Sequence, residues 1–545
     1  MSSPISSTGM REDRVLKRAA ASPLVAVVFV AGLVLFSGWL RSRSISTSFW
    51  MDEALSVGIS SHDLMDIPHA LRHDGSPPLY YMLLSVWMGA FGRTESATHA
   101  LSLLAALACI PLGAWTGWRL FDRRTGLIFA TLLAVSVFLT QYAEETRMYS
   151  LMALFSLGAV AAFCLAFVDR QRRWLPVFSV FLAAMLYTHG WGIFFGISCG
   201  IAGLYLVAES TNRKPLVIDG LMAFGFTALL YLPWLPTLLY QAGHTGAPWS
   251  SSPRLGVFSQ VATLLGGWGT AAALLVGATV GITAILLRRP VLEGPGVLPT
   301  DANPDRTKTL FLAIVVIITG TLAIAWTASQ FNPAWTQRYM AAVICPILLV
   351  LAVGAARSGV VGLVGALAAV SLALVAPVNA TLHVKSNVRD IAASVRSDLR
   401  PGDLVINGQP EQVPLSWYYM PGGLHFADPM GRTSDPRMLN WVHVVARLQA
   451  AEPAKTYERL LATVPNGSRI LLVRPLTITR SNWVQSWTQL IRLRSAQWSG
   501  LLAHDPRLVR LKAVPWFYIS PSAVGNSAVL YEKRAPAGTK RLTAK

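Results

Sequence analysis

The feature that most constrains this chain is a recurrence of apolar runs about 20 residues long. The first is "SPLVAVVFVAGLVLFSGWL", Ser22 to Leu40, and the runs repeat down to about Ala376. Inside a bilayer no water can satisfy the backbone, so a run of that length must close its own hydrogen bonds as a helix. Spans are expected at 22–40, 97–118, 126–143, 148–168, 174–188, 190–208, 216–240, 263–287, 310–329, 339–356 and 358–376, roughly eleven on the length criterion. Composition agrees. Only 13% of the 545 residues are charged and 53% are hydrophobic, whereas a soluble globular chain carries about 25% charged residues.

The first run follows "REDRVLKRAA" and no small-residue cleavage site follows it cleanly. It reads as a retained anchor with its basic side, the arm 1–21, in the cytoplasm. The connections then alternate. "WRLFDRRTG", "DRQRRW", "ESTNRKP", "LLRRPVLEGPGVLPTDANPDRTK" and "ARSG" are basic or carry arginine; "QYAEETRMY", "THGWG", "YQAGHTGAPWSSSPR" and "FNPAWTQRYM" carry few or isolated charges. Positive loops stay inside, so the expected orientation is a multi-pass protein of the cytoplasmic membrane. The first loop, about 41–96, and everything after Ala376 then face outward. The net charge of +19 records the basic face. No basic module with interleaved aromatics is present, which argues against nucleic acid as a partner.

"SPPLYYMLLSVWMGAFG", Ser76 to Gly92, opens on two prolines, and counting it as a span would break the alternation. It reads as an interfacial helix with its Tyr and Trp residues at headgroup depth. The tail 377–545 carries charges throughout, a helix-like "VRDIAASVRSDL", a turn at "LRPGD" and strand-like "DLVIN" and "RILLV". It is expected to form a small extracytoplasmic α/β domain. The Gly-rich "GVVGLVGALAAV" reads as close helix packing. The four cysteines lie in apolar runs without metal-ligand spacing and read as packing residues.

The candidates for chemistry lie in the outward loops. Asp52 and Glu53 in "WMDEALS" suit a helix N-terminus, but they sit among Phe49, Trp50, Met51, Ala54 and Leu55. Apolar surroundings tend to raise a carboxylate pKa, a useful property in a general base. "QYAEETRMY" offers Glu144, Glu145 and Arg147, either as site residues or as an ion-paired loop. Arg338 is the lone charge of "FNPAWTQRYM"; its fork suits a phosphate, and the alternative is a snorkelling anchor. His73, next to Asp74, and His189 of "THGWG" are weaker candidates, since a loop histidine is more often structural. Together, acids that take a proton from a hydroxyl and an arginine that stabilises a phosphate leaving group would serve glycosyl transfer from a lipid-linked phosphosugar.

The order "WMDEALS", "HDGSPPLYYMLLSVWMGAFGRTES", "YAEETRMYSLMALF", "TQRYM" resembles the polyprenyl-phosphate-sugar-dependent GT-C glycosyltransferases. It is most similar to the branch that includes protein O-mannosyltransferases and aminoarabinose transferases (glycosyltransferase family 39-like). The resemblance covers Ser22 to Ala376 and leaves the tail without an assigned motif. It implies an inverting transfer at the outer face, with Asp52 as general base and Glu53 supporting it or binding the sugar. One of Glu144 and Glu145 would be the second-loop acid. Arg338, with Tyr339 and His189, would hold the donor phosphate, and Arg147 and Tyr80 fall within the same matched motifs. Some aminoarabinose transferases have a lysine near the proline-rich helix; here His73 would substitute, or that contact is missing. No obligatory metal or other cofactor is implied, although some GT-C enzymes hold a divalent ion at paired acids. The partners implied are a polyprenyl-phosphate sugar and a glycan, lipid or protein acceptor. Mannose, arabinofuranose, aminoarabinose, galactosamine and glucose donors all fit. A ligase or polymerase using a lipid-diphosphate donor, a transporter and a non-catalytic lipid-binding protein are the alternatives. Transport is disfavoured because the long runs are almost free of charge.

Overall fold

The computed structural model describes residues 23–288, 303–376, 385–476, 485–515 and 525–534. The arm 1–21 and much of the basic connection between the spans expected at 263–287 and 310–329 lie outside the described residues.

Every expected span is helical at its place. Seven helices are long and apolar enough to cross a bilayer: Pro23–Ser42, Glu95–Leu120, Tyr149–Val168, Trp191–Glu209, Arg213–His244, Trp268–Leu286 and Pro304–Phe331. The span expected at 126–143 is instead two helices, Arg123–Ala134 and Val137–Ala143, bent by 48°. Arg41 explains how the bend is tolerated. Its fully buried guanidinium donates from Nη2 to Leu133 O at 2.6 Å and from Nε to Thr140 Oγ1 at 3.4 Å, satisfying a carbonyl that the break frees. Counted as one, the pair makes an eighth span. Leu175–Thr188, Ile344–Arg357 and Gly359–Val375 have 14, 14 and 17 residues. At 1.5 Å per residue the two shorter ones rise about 21 Å, less than the roughly 30 Å hydrocarbon core. Length and composition thus pick out seven of the eleven expected spans among the described residues, or eight with the bent pair, and leave the three shorter helices below that length.

Apolar side chains such as Leu24, Val27, Leu35 and Trp39 of the first helix are exposed, as lipid-facing residues are. The Gly-rich stretch packs closely, as expected: a methyl placed on Gly365 would lie 2.6 Å from Gly277 Cα. All four cysteines are buried and free. The proline-opened segment is a 13-residue helix, Leu79–Phe91, too short to span.

The tail forms a six-stranded sheet from β1 (Leu404–Asn407), β2 (His425–Asp428), β3 (Gly431–Arg432), β4 (Arg469–Pro475), β5 (Leu508–Val514) and β6 (Asn526–Lys533), in the order β3-β2-β1-β4-β6-β5. β1 runs parallel to both β2 and β4, and the other pairs are antiparallel. All four residues of β1 are buried, as a strand covered on both faces requires. Alternation along the strands divides the core. Leu404, Ile406, Ile470 and Leu472 pack with Tyr457 and Trp498; Val405, Leu471 and Val473 belong to the core that contains Phe49 and Leu55. One face of the sheet is thus fused to the helical part, at the end that carries Asp52.

Candidate active site

Trp50, extended at φ −100° and ψ 177°, precedes the Met51–Ile59 helix. Consecutive residues on a helix diverge by about 100°, and this separates the two acids. Glu53 turns inward and is completely buried. Its Oε1 accepts from Thr146 N at 2.9 Å and Lys385 Nζ at 2.9 Å, and faces His99 Nε2 at 2.7 Å; its Oε2 accepts from Trp50 N at 3.2 Å. Burial alone would raise its pKa, but Lys385 and His99 outweigh it and hold the carboxyl well below its ordinary value. Glu53 therefore ties three segments together, with no exposure to a substrate. Of the two roles expected for Glu53, burial leaves support of the neighbouring structure rather than direct contact with a sugar.

Asp52 turns the other way. Its Oδ2 lies 2.9 Å from Arg338 Nη1, with 22% and 19% of the two side chains exposed. Arg338 sits in the Gln337–Ala342 turn. Its guanidinium carbon lies 5.4 Å from the centre of the Trp50 ring, 5.9 Å from Tyr339 and 6.0 Å from Tyr149. Its Nε is buried without a hydrogen-bond partner among the described residues. Arg147 is the second cation: its Nη1 donates to Ser56 Oγ at 3.0 Å, Asp52 O at 3.3 Å and Tyr81 Oη at 3.4 Å. The His189 ring packs 4.3 Å from Tyr339, and its Nδ1 accepts from Trp191 N at 3.1 Å. Burial and the two arginines push the His189 pKa down to about 3, so the ring is neutral and carries its proton on Nε2.

The ambiguity between Glu144 and Glu145 resolves in space. Glu144 accepts from Ser44 N at 3.2 Å, and its charged neighbours are Lys385, Arg43 and Arg41. Glu145 also feels Lys385, then Glu53, and, unlike Glu144, Arg338 and Asp52 as well; its Oε2 is buried with no hydrogen-bond partner among the described residues. Burial pushes both carboxyls up, to about 7. Of the two, Glu145 is the one within electrostatic reach of Asp52 and Arg338.

Two neighbours of expected residues also face the cluster. The half-buried His73 ring bonds back to His69 O at 3.2 Å, and Asp74 lies within the electrostatic reach of Arg147 and Asp52, its pKa raised by burial. Tyr80 is buried against Tyr81, their rings 5.9 Å apart, but the hydroxyl on Arg147 is that of Tyr81. Tyr80 also lies within the electrostatic reach of Arg147, so Asp74 and Tyr81 join the candidates from this loop. Lys385, His99 and Glu411 were missed altogether. His99 offered a signal, as a lone histidine opening an otherwise apolar helix; Glu411 offered none. Among the described residues no three His, Cys, Asp or Glu side chains converge so as to hold a metal ion.

No family model and no curated protein sequence matches the chain. Solved structures do. ArnT from Cupriavidus metallidurans bound to undecaprenyl phosphate is 13% identical, superposes with a TM-score of 0.57, and the match covers 92% of this chain and 97% of that one. The Archaeoglobus fulgidus oligosaccharyltransferase is also 13% identical, with a TM-score of 0.53, over 91% of this chain and 72% of that one. The arabinofuranosyltransferase AftD from Mycobacteria has 13% identity and a TM-score of 0.51, over 94% of this chain but 40% of that one. The chain thus shares the fold of these proteins, a helical membrane part followed by a tail built on a sheet.

Proposed function

We propose that this protein is an inverting glycosyltransferase that moves a sugar from a polyprenyl-phosphate donor to an acceptor hydroxyl at the outer face of the cytoplasmic membrane. The observation that carries the reading is the 2.9 Å pair of Asp52 and Arg338, a carboxylate base held against a phosphate-binding cation at one end of a GT-C bundle. Donor binding draws the Arg338 guanidinium to the phosphate, joined by Arg147 and by the Nε2–H of neutral His189. Asp52 is then free to accept a proton. The acceptor oxygen attacks the anomeric carbon as its proton passes to Asp52, the bond from that carbon to the phosphate oxygen breaks, and polyprenyl phosphate leaves. Attack opposite the phosphate inverts the anomeric centre. Preorganised cations at the departing oxygen stabilise the developing charge, and a positioned base contributes about 10²–10⁴-fold.

The orientation is supported by charge. At the other end of the bundle Arg306 pairs with Asp169 at 2.7 Å and Arg172 with Asp219 at 2.8 Å, beside Arg119 and Arg170, the basic face that stays in the cytoplasm. A sugar activated inside the cell reaches the Asp52 end only if a lipid carries it across, and the fold is shared with an ArnT that binds undecaprenyl phosphate. The test is to incubate the purified protein with a panel of polyprenyl-phosphate sugars and follow loss of the lipid-linked sugar. One donor should be consumed by the wild type and spared by Asp52→Asn; undiminished transfer by that variant would sink the assignment.

A further inference from the structure

The sheet of the tail supplies a wall of the site that the membrane part does not. From β1 the chain passes through the Pro410–Gln412 turn and the Val413–Tyr419 helix to β2 on one side, then through the Val444–Ala450 and Pro453–Ala462 helices to β4 on the other. The carboxyl end of β1 is therefore where the strand order reverses, the place where open α/β sheets open a crevice for ligands. That end points at the reacting pair. The Pro410–Gln412 turn packs on the Met51–Ile59 helix, and Gln409 Nε2 reaches Met51 Sδ at 3.6 Å, one residue from Asp52. Glu411 Oε1 accepts from Trp487 Nε1 at 2.6 Å.

The polar groups here are not used up by the fold. Glu411 Oε2, Gln412 Oε1 and Asn407 Nδ2 are buried with no hydrogen-bond partner among the described residues, although Gln412 is 1% exposed and Asn407 fully buried. Buried polar groups are normally bonded, so unmade bonds clustered beside a proposed base point to a ligand. The groups acting on Glu411 are Trp487, Gln409, its own backbone and Asp52, with no cation among them. Such a wall repels a phosphate and matches neutral hydroxyls, which both donate and accept. Asp52 thus stands between a cationic wall of Arg338 and Arg147 and a wall of carboxyl and carboxamide groups.

We propose that Glu411, with Gln409 and Gln412 at the carboxyl end of β1, forms the subsite for the hydroxyls of a neutral sugar acceptor, placing the attacking oxygen at Asp52. This rests on the glycosyltransferase reading above. The donor sugar could present the same chemistry, and the test separates the two sources. Purified full-length protein is titrated with undecaprenyl phosphate, with the undecaprenyl-phosphate sugars of the donor panel, and separately with methyl glycosides and disaccharides of mannose, arabinofuranose, galactose and glucose at millimolar concentration. Intrinsic fluorescence is the readout, since Trp487 touches Glu411. At least one sugar should bind, and Glu411→Gln or Gln412→Ala should weaken it about tenfold while undecaprenyl phosphate binding stays within about twofold. Arg338→Ala should do the reverse. Glu411→Gln keeps an oxygen for Trp487, and retained lipid-phosphate binding shows that each variant is folded. Sugar binding unchanged in both variants, or no sugar binding where undecaprenyl phosphate binds, overturns the subsite and leaves the glycosyltransferase reading standing. Free sugars that bind normally while Glu411→Gln loses only the sugar-loaded donor would assign the wall to the donor and also overturn it. Failure to bind undecaprenyl phosphate at all would count against the glycosyltransferase reading itself.

Discussion

Replacing Glu53 by Gln should damage the protein more through folding than through chemistry. The carboxylate is fully buried and meets Lys385 at 2.9 Å, His99 at 2.7 Å and two backbone amides. Gln keeps the volume and one acceptor but removes the charge, leaving the Lys385 ammonium, itself largely buried, without its counter-ion. Removing one partner of a buried pair costs about 3–5 kcal/mol, a fall of about 5 °C or more in unfolding temperature. Because all four cysteines are buried and free, a thiol-reactive dye reports that transition directly on heating. Lys385→Met alone should destabilise as well, by stranding the carboxylate. The double variant should be less destabilised than the sum of the two, with a coupling of about 0.5–3 kcal/mol. An unchanged transition in Glu53→Gln, or strict additivity in the double variant, would refute the view that this pair ties the tail to the first loop.

Asp52→Asn should keep the wild-type stability to within about 1 kcal/mol, as a partly exposed ion pair contributes little, while transfer falls by about 10²–10⁴; single-turnover assays on the consumed donor check this. Glu145→Gln should lower transfer more than Glu144→Gln, since only Glu145 feels Arg338 and Asp52; equal losses in the same assay would contradict the assignment. Stability should fall as pH rises from 4.5 towards about 7, because buried Glu144, Glu145 and Glu411 hold protons in the folded state that the unfolded chain has already released. Each contributes on the order of 3 kcal/mol, and Glu145→Gln should flatten the dependence of unfolding temperature on pH. Glu53, with its depressed pKa, is ionised in the folded state throughout that window and adds only a small opposing slope near pH 4.5, which fades as its unfolded carboxyl ionises. Tyr81→Phe should weaken transfer where Tyr80→Phe does not, since the Tyr81 hydroxyl lies on Arg147.

The membrane part was legible from sequence because a bilayer imposes one rule on every segment: about 20 apolar residues closing their own backbone bonds. Helix positions, the proline-opened short helix, the glycine packing and the strands at 404–407 and 469–475 all follow from patterns within a few residues. The prominence of Asp52 and Arg338 was also readable, one in an acid pair among apolar residues and the other as the lone charge of its loop. Their pairing was not, because 286 residues separate them in the chain and only the packing of helices brings them together. Likewise nothing in "WMDEALS" reveals that Glu53 is sealed against Lys385 while Asp52 faces Arg338, or that Glu145 and not Glu144 joins them. Those choices depend on where a helix starts and which neighbours lie against each of its faces. The tail shows the division most clearly. Its strands were local and predictable, but their order, set by crossovers among distant segments, is what carries Glu411 to the reacting pair. The sequence by itself determined a bundle of membrane-length helices with acids and an arginine in its loops. The tertiary structure alone decided which acid meets the arginine, which one holds the fold, and which face of the tail closes the site.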